Sequence, residues 1–267
     1  VHLPKDRGFS PNTCETYAHA FRVFFRFSAT RLNKKPSEIY LEDLDAKLIL
    51  EFLADIEKSR KNAVSTRNSR LAAIKAFMRF VEFKMPSALG QTAQVQAIAS
   101  KRHDHPLIKH LTMNEVKCIL NAPDISTRLG LRDRAMLHLC FAGGLRVSEL
   151  VELPLDHLSL KQTVSVRIIG KGRRERCLPL WRETAKDLRA WLAVRGQTSA
   201  TELFVNSEGT AMSRAGFEYI LDKHVRTAEL KMPTLKGRKV TPHQLRHSCA
   251  LVMLQATRDI RKVSLWL

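Results

Sequence analysis

The stretch Thr241-Pro242-His243-Gln244-Leu245-Arg246-His247 reads as the opening turns of a helix built to face an anion. Thr241 stands where an N-cap hydroxyl belongs, Pro242 takes the first helical position, where its missing N–H costs nothing, and Gln244, three after the cap, completes a capping box. The start of a helix offers unpaired N–H groups and the positive end of the peptide dipoles to negative charge. His243 and Arg246, three residues apart, share one face beside that end. By itself the pattern describes many capped surface helices with an incidental His and Arg, so its weight depends on what the rest of the chain brings to it.

Two other segments place cations where the backbone turns sharply. A helix read over residues 128–141 runs into Gly143-Gly144 and directly on into Leu145-Arg146-Val147-Ser148-Glu149-Leu150, which sets Arg146 at a second helix start. Residues 164–169 are β-branched and alternating, and residues 175–180 return as a second strand. Between them Gly170-Lys171-Gly172-Arg173-Arg174 makes a glycine-flanked hairpin tip that carries Lys171. Thr112-Met113-Asn114-Glu115 is a further capping box, opening a helix through residue 121. Helices are also expected near 183–194 and 213–230, with a short strand at Leu203-Phe204-Val205 and a basic loop holding Lys236, Arg238 and Lys239 just before Thr241.

The front of the chain is helical. Ser10-Pro11 starts a helix in which Tyr17, Phe21, Phe24, Phe25 and Phe27 have core spacing, and a second and a third helix are read over 43–58 and 65–84. Arg22 and Arg26 edge the first helix, and Arg60, Lys61, Arg67 and Arg70 lie at the polar entry to the third. These cations suit contact with DNA phosphates, although a solvated helix start has the same composition. Periodicity fades over 86–106, where Lys101 and Arg102 begin a charged cluster. Residues 1–85 therefore read as a helical DNA-binding domain, 86–106 as a basic linker that wraps DNA, and 107–267 as a second domain. His103 and His105 lack supporting carboxylates or cysteines and read as solvent-exposed rather than as metal ligands.

The 267 residues carry a formal charge of +19 and a pI near 10.2, which calls for a polyanionic partner, nucleic acid ahead of an anionic membrane surface. No apolar run is long enough to span a bilayer, and no signal peptide is visible. Five scattered cysteines, odd in number and without a C-x-x-C pair, argue against a disulfide framework or a zinc site and fit a reducing cytoplasm or nucleoid.

In their order and spacing these segments resemble the tyrosine recombinases: phage and transposon integrases and the Xer-type enzymes. The resemblance rests on Arg132-Asp133-Arg134-Ala135-Met136-Leu137 through Gly144-Leu145-Arg146-Val147-Ser148-Glu149-Leu150, on Gly170-Lys171-Gly172 followed by Glu175-Arg176 and Leu178-Pro179-Leu180, and on Thr241 to His247. It implies a mainly α fold with a small β-sheet, a helical core-binding domain followed by a mixed α/β tyrosine-recombinase catalytic domain. Carried over by residue, it makes Arg146 and Arg246 the pair that clamps the scissile phosphate, Lys171 the acid for the leaving 5′ oxygen, and His243 the histidine beside them. Glu149 would orient a neighbour, His247 would be structural, and Arg173 and Arg174 would contact DNA near the hairpin tip. The implied reaction is strand exchange through a 3′-phosphotyrosyl intermediate, without metal or other cofactor, on double-stranded recombination sites held two at a time by a homotetramer.

At one place the sequence departs from the family. The pattern continues past its equivalent of Ser264-Leu265-Trp266-Leu267 to a second His or Trp and then the nucleophilic tyrosine, whereas Tyr17, Tyr40 and Tyr219 all lie outside that context. Tyr219, beside Phe217, Ile220 and Leu221, reads as core, and the helix through Ile260 and Val263 meets no stop signal before Leu267. The expectation is that residues 1–267 bind their site without forming a covalent adduct. One alternative is a degenerate member that binds recombination sites without cutting. A metal-dependent nuclease would need clustered carboxylates, and none stand in suitable context. Affinity for duplex DNA should fall by orders of magnitude between about 50 and 200 mM salt, because phosphate neutralisation releases counterions; fluorescence anisotropy checks this, and indifference to salt contradicts it.

Overall fold

In the computed structural model, which describes residues 8–102, 110–161, 163–170 and 175–267, the first helix begins where Ser10-Pro11 places it. The chain divides into two units, residues 1–106 and 107–267. In the first, α1 (Pro11–Leu32) is capped by Ser10, whose hydroxyl accepts from the Thr13 N–H at 3.3 Å, and closes on Asn33 in the left-handed region. The second helix, α2 (Ala46–Lys58), starts three residues later than expected. The carboxylate of Asp43 is engaged by Lys34 at 2.7 and 2.8 Å and by the Tyr40 N–H at 2.9 Å, so Asp45 caps instead, accepting from Leu48 N–H at 2.7 Å. α3 (Val64–Lys84) completes the bundle, and Phe24, Ile49, Phe52, Ile56, Leu71, Ile74 and Met78 fill its core as helical spacing predicts.

The linker expected over 86–106 is corrected over its first part. Residues 86–88 form a 3₁₀ turn and Leu89–Ala97 a helix, α4, whose Val95, together with the following Ile98, joins the core of the first unit. Apolar residues there are too sparse to show a period, and the helix is fixed instead by packing and by cross-ties: Lys75 donates to the Gln96 carbonyl at 2.7 Å and Gln96 to the Lys75 carbonyl at 2.8 Å. Beyond it, Asn68 pairs with Lys101 as a strand would, accepting from its N–H at 3.0 Å and donating to its carbonyl at 2.8 Å.

The second unit opens with α5 (Met113–Leu120), where the Thr112–Glu115 capping box is formed. α6 (Arg128–Ala142) is buried along most of its length, and the short α7 (Val147–Val151) follows the double glycine. The sheet of the described residues is antiparallel in the order β1 (Leu158–Ser159), β2 (Ser165–Ile169), β3 (Glu175–Pro179), with Val166 opposite Leu178 and Ile168 opposite Arg176. α8 (Arg182–Arg195), α9 (Arg214–Glu229), α10 (Pro242–Thr257) and α11 (Ile260–Trp266) complete the unit. The fold is thus mainly α with a small sheet, as expected. The strand expected at Leu203-Phe204-Val205 is not one: these buried residues make only single bridges on either side, and the Leu203 carbonyl is satisfied by Trp191 Nε1 at 3.0 Å and Arg195 Nε at 3.2 Å in place of a ladder. No described helix is long and apolar enough to cross a membrane.

Behind the site, α6 and α9 are joined by a buried polar cluster. Asp133, 1 % exposed, accepts from Arg132 at 2.7 and 3.0 Å and lies 2.8 Å from His224 Nε2. Burial alone would raise the Asp133 pKa, yet the hydrogen bonds from His224 and Arg132 hold it below its ordinary value. Asp133→Asn would leave the buried Arg132 guanidinium uncompensated and should cost about 3–5 kcal/mol at neutral pH. Because the folded carboxyl has the lower pKa, its contribution is present above the unfolded value, about 3.9, and is lost as pH falls through the folded one. Thermal melts should therefore show a wide Tm gap between wild type and variant at pH 7 that narrows below about pH 4.

Candidate active site

Three segments distant in sequence meet at one carboxylate. Gly144 has φ +53°, a value L-residues rarely adopt, and its turn lets the chain pass from α6 into α7 with Arg146 as N-cap. Glu149, one turn on, accepts from the Arg146 backbone N–H at 3.0 Å and from Arg146 Nη1 at 2.8 Å. From α10, whose Thr241–Gln244 capping box forms as read, Arg246 brings Nη1 to 3.8 Å from the same carboxylate. From β3, Arg176 grips it with both terminal nitrogens, at 2.8 and 3.3 Å. Arg246 is in addition fixed by two backbone carbonyls, those of Gly144 and Leu267, each at 2.5 Å.

Burial separates the roles. The Glu149 and Arg246 side chains are 6 % and 11 % exposed, whereas Arg146 is 50 % exposed and reaches solvent. Burial would raise the Glu149 pKa, but Arg176, the Arg146 N–H and the Arg146 guanidinium outweigh it and keep the carboxyl ionised, below its ordinary value. Burial, then Arg146, lowers the Arg246 pKa, with Glu149 opposing; a guanidinium stays protonated throughout. The Cys249 thiol beside them is pushed up to about 12 by burial, so it supplies no thiolate at neutral pH. What remains is a set of guanidinium donors around one anion, an arrangement suited to stabilising a charged phosphoryl group without a metal. Among the described residues no cluster of His, Cys, Asp and Glu is arranged to hold a metal ion.

Comparison with known proteins agrees with this geometry. Residues 109–267 match the phage integrase family, and residues 1–83 match the phage integrase N-terminal SAM-like domain. A Sinorhizobium fredii protein named as an integrase/recombinase is 40 % identical over 99 % of this chain and 80 % of its own length. The tyrosine recombinase XerC of Pelotomaculum thermopropionicum is 35 % identical over 98 % of the chain and 85 % of its own. The chain belongs to the phage integrase family. Its enzymatic class is that of the tyrosine-type site-specific recombinases. The same fold occurs in the XerH recombinase, in a post-cleavage complex with a palindromic difH substrate, at a TM-score of 0.74 and 22 % identity, over 95 % of this chain and 72 % of that one.

Of the residues read from sequence, Arg146 and Arg246 both approach the Glu149 carboxylate, at 2.8 and 3.8 Å. His243 is exposed on α10, its ring 4.2 Å from that of His247, whose Nε2 is buried. Lys171, Arg173 and Arg174 lie outside the described residues, as do His103 and His105. Arg22, Arg26, Arg60, Lys61 and Arg102 are exposed, and Arg70 is half-buried. Arg67 is corrected: it is 5 % exposed and bonded to Asn68 and the Ala99 carbonyl, with Glu57 at 3.9 Å, so it holds the first unit together and does not face DNA. Lys101 is partly engaged, by Glu57 at 2.7 Å. Tyr219 is corrected as well; it is 71 % exposed while Phe217, Ile220 and Leu221 take the core face of α9.

Arg176 escaped the reading, although a signal existed. Alternation along β3 puts residue 176 on the same face as Leu178, where a strand packed on a core asks for an apolar side chain. Gly144 leaves no free space for a side chain. A Cβ there would run into the Leu267 side chain and lie 3.3 Å from Cys249 Sγ. Gly144→Ala is expected to destabilise by about 1–3 kcal/mol, read as a lowered Tm, through left-handed strain and that overlap.

Proposed function

We propose that this chain cuts and rejoins duplex DNA at specific sites by transesterification at phosphorus, with Arg146 and Arg246 holding the two non-bridging oxygens of the scissile phosphate. The observation that carries the reading is the convergence of those arginines, 100 residues apart in sequence, on the buried Glu149 carboxylate. A tyrosine oxygen attacks phosphorus as its proton passes to solvent, the bond to the 5′ oxygen breaks, and that oxygen leaves with a proton delivered by Lys171. The negative charge that builds on the phosphoryl oxygens meets donors already in place, so little reorganisation is needed at the moment of reaction. His243, exposed at the start of α10, lies beside the phosphate and donates to it. Neither Tyr17, Tyr40 nor Tyr219 is assigned the attacking role.

Exchange between two duplexes requires four strand cuts, which fits four chains on two recombination sites. Arg22, Arg26, Arg60, Lys61, Arg70, Arg102, Arg173 and Arg174, with the free part of Lys101, supply backbone contacts that position the duplex without reading its sequence. The work is done in the cytoplasm, on the nucleoid.

The test uses the complete gene product on nicked duplexes carrying a site that the protein itself selects from randomised DNA. Arg146→Ala or Arg246→Ala should leave affinity within a few-fold and slow cleavage by about 10²-fold or more, the scale for losing one preorganised donor. Lys171→Ala should regain activity when the bridging 5′ oxygen is replaced by sulfur, a better leaving group that needs no acid. Binding without any cleavage by the wild type would favour a binding-only protein.

A further inference from the structure

We propose that Arg176 is a positioning residue of this site: it shares the Glu149 carboxylate with Arg146 and Arg246, so that those two arginines keep their positive charge available to phosphate. The inference rests on the reading under Proposed function and adds a residue to which that reading gives no role.

The placement follows from the strand. In the β2–β3 pair Ile168 faces Arg176 and Val166 faces Leu178, so Arg176 belongs to the face that carries three buried apolar side chains. Its own side chain is 14 % exposed, and its Nε is buried. An arginine so enclosed bears a desolvation cost that a carboxylate partner must offset, and Glu149 is that partner, gripped in two places. The contact does not aim Arg176 at DNA. It determines how much of Glu149 is left for the other two.

Charge makes the consequence specific. With Arg176 present, one carboxylate is divided among three guanidinium groups, and Arg246 Nη1 stands off at 3.8 Å rather than in contact. Without it, a buried carboxylate would face Arg146 and Arg246 alone, tighten on Arg146, already at 2.8 Å, and draw Arg246 in from 3.8 Å to a close ion pair. An arriving phosphate would then compete with Glu149 for the donors it needs, and the penalty would fall on the chemical step, where the added charge is greatest. A role for Arg176 confined to anchoring the sheet through Glu149 would instead lower thermal stability and DNA affinity together with cleavage.

A double-mutant cycle on single-turnover cleavage of the nicked duplexes described above, read beside DNA affinity and Tm with the complete gene product, separates the two. Arg176→Met should slow cleavage about tenfold or more while DNA affinity stays within about threefold. Arg176→Lys, which keeps the charge but not the two-pronged grip, should fall between. In the Glu149→Gln background, where no carboxylate competes, adding Arg176→Met should cost less than about threefold. If Arg176→Met melts below the assay temperature, Arg176→Lys carries the same comparison with and without Glu149→Gln. Wild-type rates in the Arg176 variants, penalties that simply multiply in the double variant, or a loss confined to affinity would each overturn the inference. Where the wild type cleaves and Arg146→Ala does not, such a result leaves the recombinase reading standing; a wild type that never cleaves overturns both.

Discussion

The buried carboxylate of Glu149 is the constraint on which the site depends. A carboxylate that is 6 % exposed survives as an anion only if cations surround it, and the chain supplies one from α7, one from α10 and one from β3. Each of those elements is thereby tied to the others through side chains. Satisfying one buried charge orients the guanidinium groups, and the same groups are what a phosphodiester requires. Local electrostatics and function therefore ask for the same geometry.

The rest of the second unit keeps that geometry from relaxing. The Gly144 turn delivers both the cap of α7 and a carbonyl that fixes Arg246. Glu115, held by its own capping box, also accepts from Thr234 at 2.9 Å and Arg238 at 2.7 Å, and so ties the basic loop before α10 to the start of α5. Ser248 accepts from the Leu111 N–H at 2.9 Å, and the Trp266 indole donates to the Ala142 carbonyl at 3.0 Å, close to where α6 gives way to the double glycine. The high arginine content thus has two uses. Arg67, Arg132, Arg195 and Arg246 are buried and organise backbone and carboxylates, whereas Arg22, Arg26 and Arg60 stay in solvent and contribute to the field that attracts a polyanion. Net charge alone does not distinguish them.

The legible parts of the sequence were those governed by local chemistry. Caps at Ser10, Thr112 and Thr241 formed as read because each depends on residues no more than three apart. The order of Arg146 and Arg246 around their glycines and prolines was legible for the same reason. What was missed depends on long-range packing. α4 has little amphipathic signal and exists because the first unit needs Val95 and Ile98 against it; residues 203–205 carry a strand pattern but find an arginine and a tryptophan where a partner strand was expected. Arg67 looked like a surface cation because nothing local reveals Glu57, and Arg176 looked incidental because its partner lies 27 residues away in another motif.

The difference between Arg146 and Arg246 follows from the same contacts. A guanidinium has five N–H donors, and Arg246 commits two of them to the carbonyls of Gly144 and Leu267, so its plane is fixed before any substrate arrives. Arg146 is anchored through its backbone and one Nη1 bond while half of its side chain meets water. The entropy of ordering a long side chain has already been lost for one arginine and remains to be lost, in part, for the other. A phosphate entering this site would therefore meet a rigid donor on the α10 side and an adjustable one on the α7 side. In the proposed reaction, rigidity would favour the transition state through preorganisation, and the adjustable arm would let the clamp close on a backbone whose position is set by the whole duplex rather than by this pocket.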